Sequence, residues 1–194
     1  KINKKTLAVV ATNIFNNSYD LKKIKKICKL NQLALIEDNA IYFGNYIKKN
    51  NKKIYSGTYG DYSLHSFNIM KSVSAMYGGS VSTNDKKFID FTKKEMKNFK
   101  GFPILKYIKQ CLIYVILKLL SIKLFYKIFF RIITEAHKKD NRNLLSLVYP
   151  SIKFKKEFVP NNYFTKINSL SLKMILLQLQ SKKYLNYNHK LKKE

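Results

Sequence analysis

Two patterns of apolar and polar residues alternate along this chain. Residues 7–12, Leu-Ala-Val-Val-Ala-Thr, are apolar and β-branched and predict a buried strand. Asn16, Asn17 and Ser18 read as a turn, and Asp20 predicts the cap of a helix reaching Leu30. Within that helix Leu21, Ile24, Ile27 and Cys28 share one face, while Lys22, Lys23, Lys25, Lys26 and Lys29 cover the other. Residues 33–36 then form a short, wholly apolar strand that ends at Glu37-Asp38. A strand, a compact helix and a second buried strand predict a mainly parallel sheet flanked by helices. Residues 45–56 are polar and lysine-rich and read as a loop. Further strands are expected at 62–67 and, behind a glycine turn, at 78–83; helices are expected at 86–98, capped by Asp85, and at 170–191.

Residues 104–134 differ. They are strongly apolar, yet Lys106, Lys109, Lys118, Lys123, Lys127 and Arg131 interrupt them. The longest uncharged run, residues 110–117, falls well short of the roughly 20 residues that cross a bilayer. At about 100° per residue, Lys109, Lys123, Lys127 and Arg131 share one sector and Lys118 lies opposite. A basic amphipathic helix follows, or a pair broken near Ser121. Such a segment can lie on an anionic membrane surface as a peripheral contact, or pack as an ordinary helical hairpin.

Composition narrows the class. The chain has 194 residues, 46 % of them hydrophobic and 14 % aromatic, which is too apolar for a disordered tail. Two cysteines, Cys28 and Cys111, stand far apart, which excludes a disulfide scaffold and a zinc motif and fits a reducing, cytoplasmic setting. No metal ligand set is expected. The net charge of +27 invites a nucleic-acid reading. Against it, the lysines are spread over helix faces, loops and both ends, and arginines, the better bidentate readers, are few. We therefore expect no nucleic-acid partner. The chain opens almost at once on a core strand and closes on an uncapped helix, so it reads as an internal fragment of a longer protein.

Two places carry candidate chemistry. Glu37-Asp38 lies at the carboxyl end of a strand, where α/β sheets bind ligands. An Asp there can hold a cationic ring nitrogen, a sugar hydroxyl or a metal, or simply turn the chain. The second place is the stretch from Gly57 through Lys71 to Gly79, the least basic of the chain, with Lys71 alone between Lys53 and Lys86. Its amine can serve as an imine-forming nucleophile, and Ser66 with nearby backbone N–H groups can hold a phosphate. His65 reads as an outward strand residue more readily than as a catalytic one.

Together these residues resemble a known family. Ile36-Glu-Asp-Asn-Ala-Ile-Tyr-Phe-Gly44, Gly57 to Asp61, Ser66-Phe-Asn-Ile-Met-Lys71, Gly78-Gly79 and Thr83-Asn-Asp85 are similar, in order and spacing, to motifs of the DegT/StrS-type sugar aminotransferases. The resemblance is clear over residues 7–85 and looser over 158–191, where 174–179 carries a Gln-Leu pair.

The resemblance implies the fold-type I, aspartate-aminotransferase architecture and the cofactor pyridoxal 5'-phosphate. Residues 1–100 would form part of the cofactor-binding large domain, 101–160 a helical insertion, and 161–194 a helix leading toward a C-terminal small domain. Lys71 would be the catalytic residue and carry the cofactor as an imine. Asp38 would pair with its protonated ring nitrogen, Ser66 would bind its phosphate, and Ala40 would lie against the ring. The implied reaction transfers an amino group, from glutamate, to a nucleotide-linked keto-sugar for surface polysaccharide. The full-length enzyme would be a homodimer, and the fragment alone inactive. Departures from the family pattern are Ile41 in place of Gln or His, Ser72 in place of Asn, and Phe164-Thr165-Lys166 in place of Asn-Tyr-Arg. Other readings are a relative with altered catalysis, a dehydratase or pseudo-enzyme, and a basic membrane-surface module.

Overall fold

The computed structural model describes residues 2–13, 20–41, 43–44, 46–49, 52–69, 71–140 and 163–181. The chain divides into two compact units, Lys1–Phe102 with Lys166–Glu194, and Pro103–Thr165. In chain order the elements are β1 (Ala8–Thr12), α1 (Leu21–Leu30), β2 (Ala34–Asp38), β3 (Tyr46–Lys49), β4 (Lys52–Tyr55), β5 (Tyr62–Ser66), β6 (Gly79–Thr83), α2 (Lys86–Lys97), β7 (Lys100–Gly101), α3 (Ile104–Leu120), α4 (Lys123–Lys138), β8 (Thr165–Lys166) and α5 (Ser169–Gln180).

The first unit is built on a four-stranded sheet in the order β1-β2-β5-β6. The β1, β2 and β5 strands run parallel, with Thr12 opposite Asp38 and Asp38 opposite Leu64, whereas β6 is antiparallel to β5. The sheet is thus mainly parallel, as the strand–helix–strand pattern implies. Asp20 starts α1 by accepting a hydrogen bond from the Lys23 amide at 3.1 Å, which satisfies one of the free N–H groups of the first turn. The apolar face of α1 then packs on the sheet, where Leu21 and Cys28 join Ala11 and Leu35 in one buried cluster. Leu35 alone, wholly buried, contributes about 2 kcal/mol of apolar burial. A second cluster joins Phe67, Val73 and Ala75 of the β5–β6 connection to Ile175 of α5.

Two expectations change and one alternative is decided. Residues 46–55, expected as a loop, form the antiparallel hairpin β3–β4, in which Tyr46 lies opposite Tyr55. Their rings meet edge to face at 5.6 Å and Lys53 Nζ stands 4.6 Å from the Tyr46 ring centre; this cross-strand aromatic pair outweighs the lysine content. Helix α5 ends at Gln180, and the rest of the helix expected to Leu191 lies outside the described residues, as do the turn at 16–18 and residues 141–162. Of the two alternatives for the amphipathic segment, the structure takes the pair broken near Ser121, as helices α3 and α4. Ser121 closes α3, its hydroxyl bonding the Leu117 carbonyl at 2.9 Å, and Ile122 is extended. The break destroys the shared phase, so Lys109 and the trio Lys123, Lys127 and Arg131 belong to different helices.

Candidate active site

Parallel pairing brings the carboxyl ends of β1, β2 and β5 to one edge of the sheet, with Thr12, Asp38 and Ser66 as their last residues. Asp38 uses one carboxylate oxygen to turn the chain, accepting the Ala40 amide at 3.1 Å; the other lies 3.5 Å from the Thr12 hydroxyl. The turn-forming role is therefore real, and it leaves acceptor capacity on a half-buried carboxylate. Ala40 follows directly, half-buried.

The connection from β5 to β6 carries Lys71 and is folded back on this edge. Phe67 donates its amide to Gly78 at 2.8 Å and accepts that of Ala75 at 2.8 Å, which closes the loop at its base. Above that base, Asn68 accepts the Lys71 amide at 3.3 Å and the Ser74 hydroxyl at 3.2 Å. Ser72, next to Lys71, donates its hydroxyl to the Ile41 carbonyl at 3.5 Å. This last bond joins the lysine loop to the segment that follows Asp38 and Ala40. Helix α5 grips the loop from behind: Gln178 accepts the Ser74 amide at 3.0 Å and donates to the Ser74 carbonyl at 2.7 Å, while the Ser171 hydroxyl donates to the Ala75 carbonyl at 2.7 Å. Gln178 of the Gln-Leu pair is thus a two-point clamp on the lysine loop, while Leu179 packs against the core cluster beneath it. Lys166, of the segment that departs from the family pattern, bonds the Lys97 carbonyl through its Nζ at 2.8 Å.

Glu37, named in the sequence only beside Asp38 and given no role of its own, organises the neighbouring loop. Its side chain is completely buried, and its carboxylate accepts the amides of Gly57 at 2.8 Å, Tyr59 at 2.7 Å and Gly60 at 2.5 Å. Three backbone donors converge on one buried anion, the arrangement that makes burial of an unpaired carboxylate tolerable. Gly57 adopts φ +91°, and a Cβ there would lie 2.6 Å from Ser63 Oγ, so only glycine fits. Asp61 locks the next step: its carboxylate accepts the Leu35 amide at 2.8 Å and pairs with Lys25. Burial opposes its ionisation, but the Leu35 amide and Lys25 outweigh it and hold the carboxyl below its usual value. The available signal was periodicity: Leu35, Glu37 and Asn39 alternate onto the buried face of β2, and a carboxylate on such a face must find donors.

His65 does not point outward. It lies half-buried on the Ser63 side of β5, its Nε2 3.2 Å from Ser63 Oγ and its ring edge-on to Phe43 at 5.0 Å. It ends a buried chain in which Asn13 donates to Asn39 at 2.6 Å and Asn39 to Ser63 at 2.8 Å. Its Nδ1 is buried without a partner. Burial pushes the imidazole below its ordinary value, and the Glu37 charge offsets this only in part.

Residues 1–103 match the DegT/DnrJ/EryC1/StrS aminotransferase family. The chain belongs to this family. It is 40 % identical over 90 residues to GDP-perosamine synthase of Vibrio cholerae, covering 46 % of this chain and 23 % of that protein. It is 37 % identical over 101 residues to GDP-perosamine synthase of Escherichia coli O157:H7, covering 52 % and 26 %. The structure of Helicobacter pylori PseC, an aminotransferase involved in the biosynthesis of pseudoaminic acid, is similar at 29 % identity with a TM-score of 0.42, over 47 % of this chain and 24 % of that one. The matches therefore span about a quarter of these relatives' own length. Aminotransferases of the family depend on pyridoxal phosphate.

The residues present fit that cofactor. Among the described residues the Ser66 hydroxyl and the Lys71 amine have no protein partner, and both are half-buried at the sheet edge where Asp38 retains acceptor capacity. A carboxylate for a protonated ring nitrogen, a hydroxyl for a phosphate and an amine for an aldehyde are complementary to its three polar functions. Among the described residues no group of His, Cys, Asp and Glu could hold a metal ion.

Proposed function

We propose that this chain carries part of the cofactor-binding large domain of a pyridoxal-phosphate aminotransferase acting on a nucleotide-linked keto-sugar. The observation that carries this reading is the Ser72–Ile41 hydrogen bond, which ties the Lys71 loop to the Asp38–Ala40 turn at one sheet edge, in a chain of the sugar aminotransferase family. The names of its relatives, perosamine synthases and an altrosamine transaminase, support the sugar substrate. The cofactor, when bound, supplies the electron sink that lets an amino group move between carbon skeletons.

The chain's own residues do the rest. Lys71 supplies the amine that holds the cofactor aldehyde and afterwards carries a proton to and from the reacting carbon. Asp38 keeps the ring nitrogen protonated, and Ser66 donates to the phosphate. Ala40, the small residue that follows the Asp38 turn, would lie against the ring. Glutamate is the proposed amino donor, surface polysaccharide the proposed destination, and a cytoplasmic homodimer the proposed form of the longer protein.

The test is site-selective labelling. The chain is treated with limiting pyridoxal phosphate, reduced with borohydride and mapped by mass spectrometry. The adduct is expected on Lys71 in preference to the other lysines and is reduced at that position by Asp38→Asn or Ser66→Ala. Labelling spread evenly over the surface lysines would overturn the assignment.

A further inference from the structure

The second unit carries a surface that the proposed chemistry does not use. Helix α3 packs through Tyr107, which is buried, and through the half-buried Gln110, Cys111 and Leu117. Its opposite side is bare. Leu105, Ile108, Leu112, Val115, Ile116 and Leu119 are all exposed, Leu105 by 77 % and Leu112 by 58 %, and at about 100° per residue they lie within an arc of about 100° that holds no charge. Lys109 borders this arc on one side, whereas Lys118 stands about 60° beyond the other edge, between Cys111 and Tyr107; both lysines are exposed. Helix α4 packs through Ala136 and the half-buried Phe129 and Ile133. It gathers Lys123, Lys127 and Arg131 on a single exposed sector, while Lys138 in its last turn pairs with Glu135 at 2.9 Å. No Asp or Glu occurs anywhere between Ile104 and Thr134.

We infer that this hairpin docks on an anionic lipid surface, with the apolar face of α3 lying in the interface plane. Charge is what selects this occupant. A protein surface that covers an apolar face needs no basic, acid-free surround such as residues 104–134 provide, and a second copy of the hairpin would oppose lysine to lysine. A bilayer rich in acidic headgroups complements both features: hydrocarbon meets the bare face while Lys109 extends along its stem to the phosphates. The contact is peripheral, because no helix among the described residues is long and apolar enough to cross a membrane. Each basic residue near such a surface adds about fivefold to binding, and the apolar face supplies the part that salt does not screen.

The experiment is sedimentation of the 194-residue chain with vesicles of phosphatidylcholine alone or with phosphatidylglycerol, at low and high salt. With a net charge of +27 any basic protein adheres at low salt, so the decisive condition is high salt. There the chain is expected to stay on phosphatidylglycerol vesicles, and Leu112→Gln/Val115→Gln, which keeps the charge and alters only exposed positions, to bind at least tenfold more weakly. Lys109→Gln lowers binding at low salt by about fivefold. Because the chain has no tryptophan, Leu112→Trp gives a unique reporter, whose emission shifts to the blue and is quenched by lipids brominated in their acyl chains. Release of the parent chain at high salt, or a Leu112→Trp signal unchanged by vesicles, overturns the inference. So does a dimer in light scattering that Leu112→Gln/Val115→Gln disperses while vesicle binding is unaltered, since the face would then serve contact between copies.

Discussion

Replacing Glu37 by Gln tests whether a buried anion organises the active-site edge. The change is nearly isosteric, so packing is preserved and only the hydrogen bonding alters. In the native chain one oxygen accepts the Tyr59 and Gly60 amides and the other the Gly57 amide. The glutamine carbonyl can keep the first pair, but its NH2 group then faces the Gly57 N–H, donor against donor. That orphaned amide costs about 1–3 kcal/mol, and the two remaining bonds, no longer charge-assisted, each lose about 1 kcal/mol. The sum is about 3–5 kcal/mol, a large share of the roughly 5–15 kcal/mol that stabilises a domain. Amide hydrogen exchange followed at Gly57, Tyr59 and Gly60 reads this locally, and acceleration by about a hundredfold or more is expected. Thr58→Ala serves as a control, since it removes a single exposed bond to the Tyr55 carbonyl. If Glu37→Gln accelerates exchange no more than Thr58→Ala does, the anion is not what holds this loop.

Other outcomes follow from the same geometry. Gly57→Ala combines a strained positive φ with a Cβ 2.6 Å from Ser63 Oγ, and should lower the midpoint of urea unfolding by the equivalent of about 2 kcal/mol or more. Gln178→Ala leaves the Ser74 amide and carbonyl without partners; a loss of about 1–3 kcal/mol, read as faster exchange at Ser74 and weaker cofactor labelling of Lys71, is expected, with the labelled position unchanged. His65 has its imidazole held below the ordinary value by burial, so the unfolded chain binds the proton first as pH falls. Its contribution is complete above pH ~6.5 and is lost progressively below it. Urea midpoints measured down to pH 5 should fall less steeply in His65→Phe, and an NMR titration placing the folded His65 above the unfolded value would contradict the assignment.

Much of this site is readable in one dimension. Asp38 stands where an apolar run stops, Ser66 and Lys71 bracket a short segment in the one weakly basic stretch, and the strand–helix–strand order already demands parallel strands whose ends coincide. These are local or near-local facts, carried by periodicity, caps and spacing. Glu37, Gln178 and His65 were beyond that reach, because the role of each depends on partners distant in sequence. Glu37 is defined by amides at Gly57, Tyr59 and Gly60, Gln178 by a serine on a loop that precedes it by 104 residues, and His65 by a polar chain that begins at Asn13. The hairpin at 46–55 was hidden for a related reason: its lysines read as solvated loop until the Tyr46–Tyr55 pair is brought into register.

The amphipathic segment divides the two kinds of information most clearly. Sequence alone determined that residues 104–134 are apolar, basic and too interrupted to cross a bilayer, because hydropathy and charge are properties of single positions. Only the tertiary structure decided which of those residues face outward. The break at Ser121 resets the helical phase, so the exposed face of α3 and the basic sector of α4 arise from how two helices pack, a relation that no single periodic pattern contains.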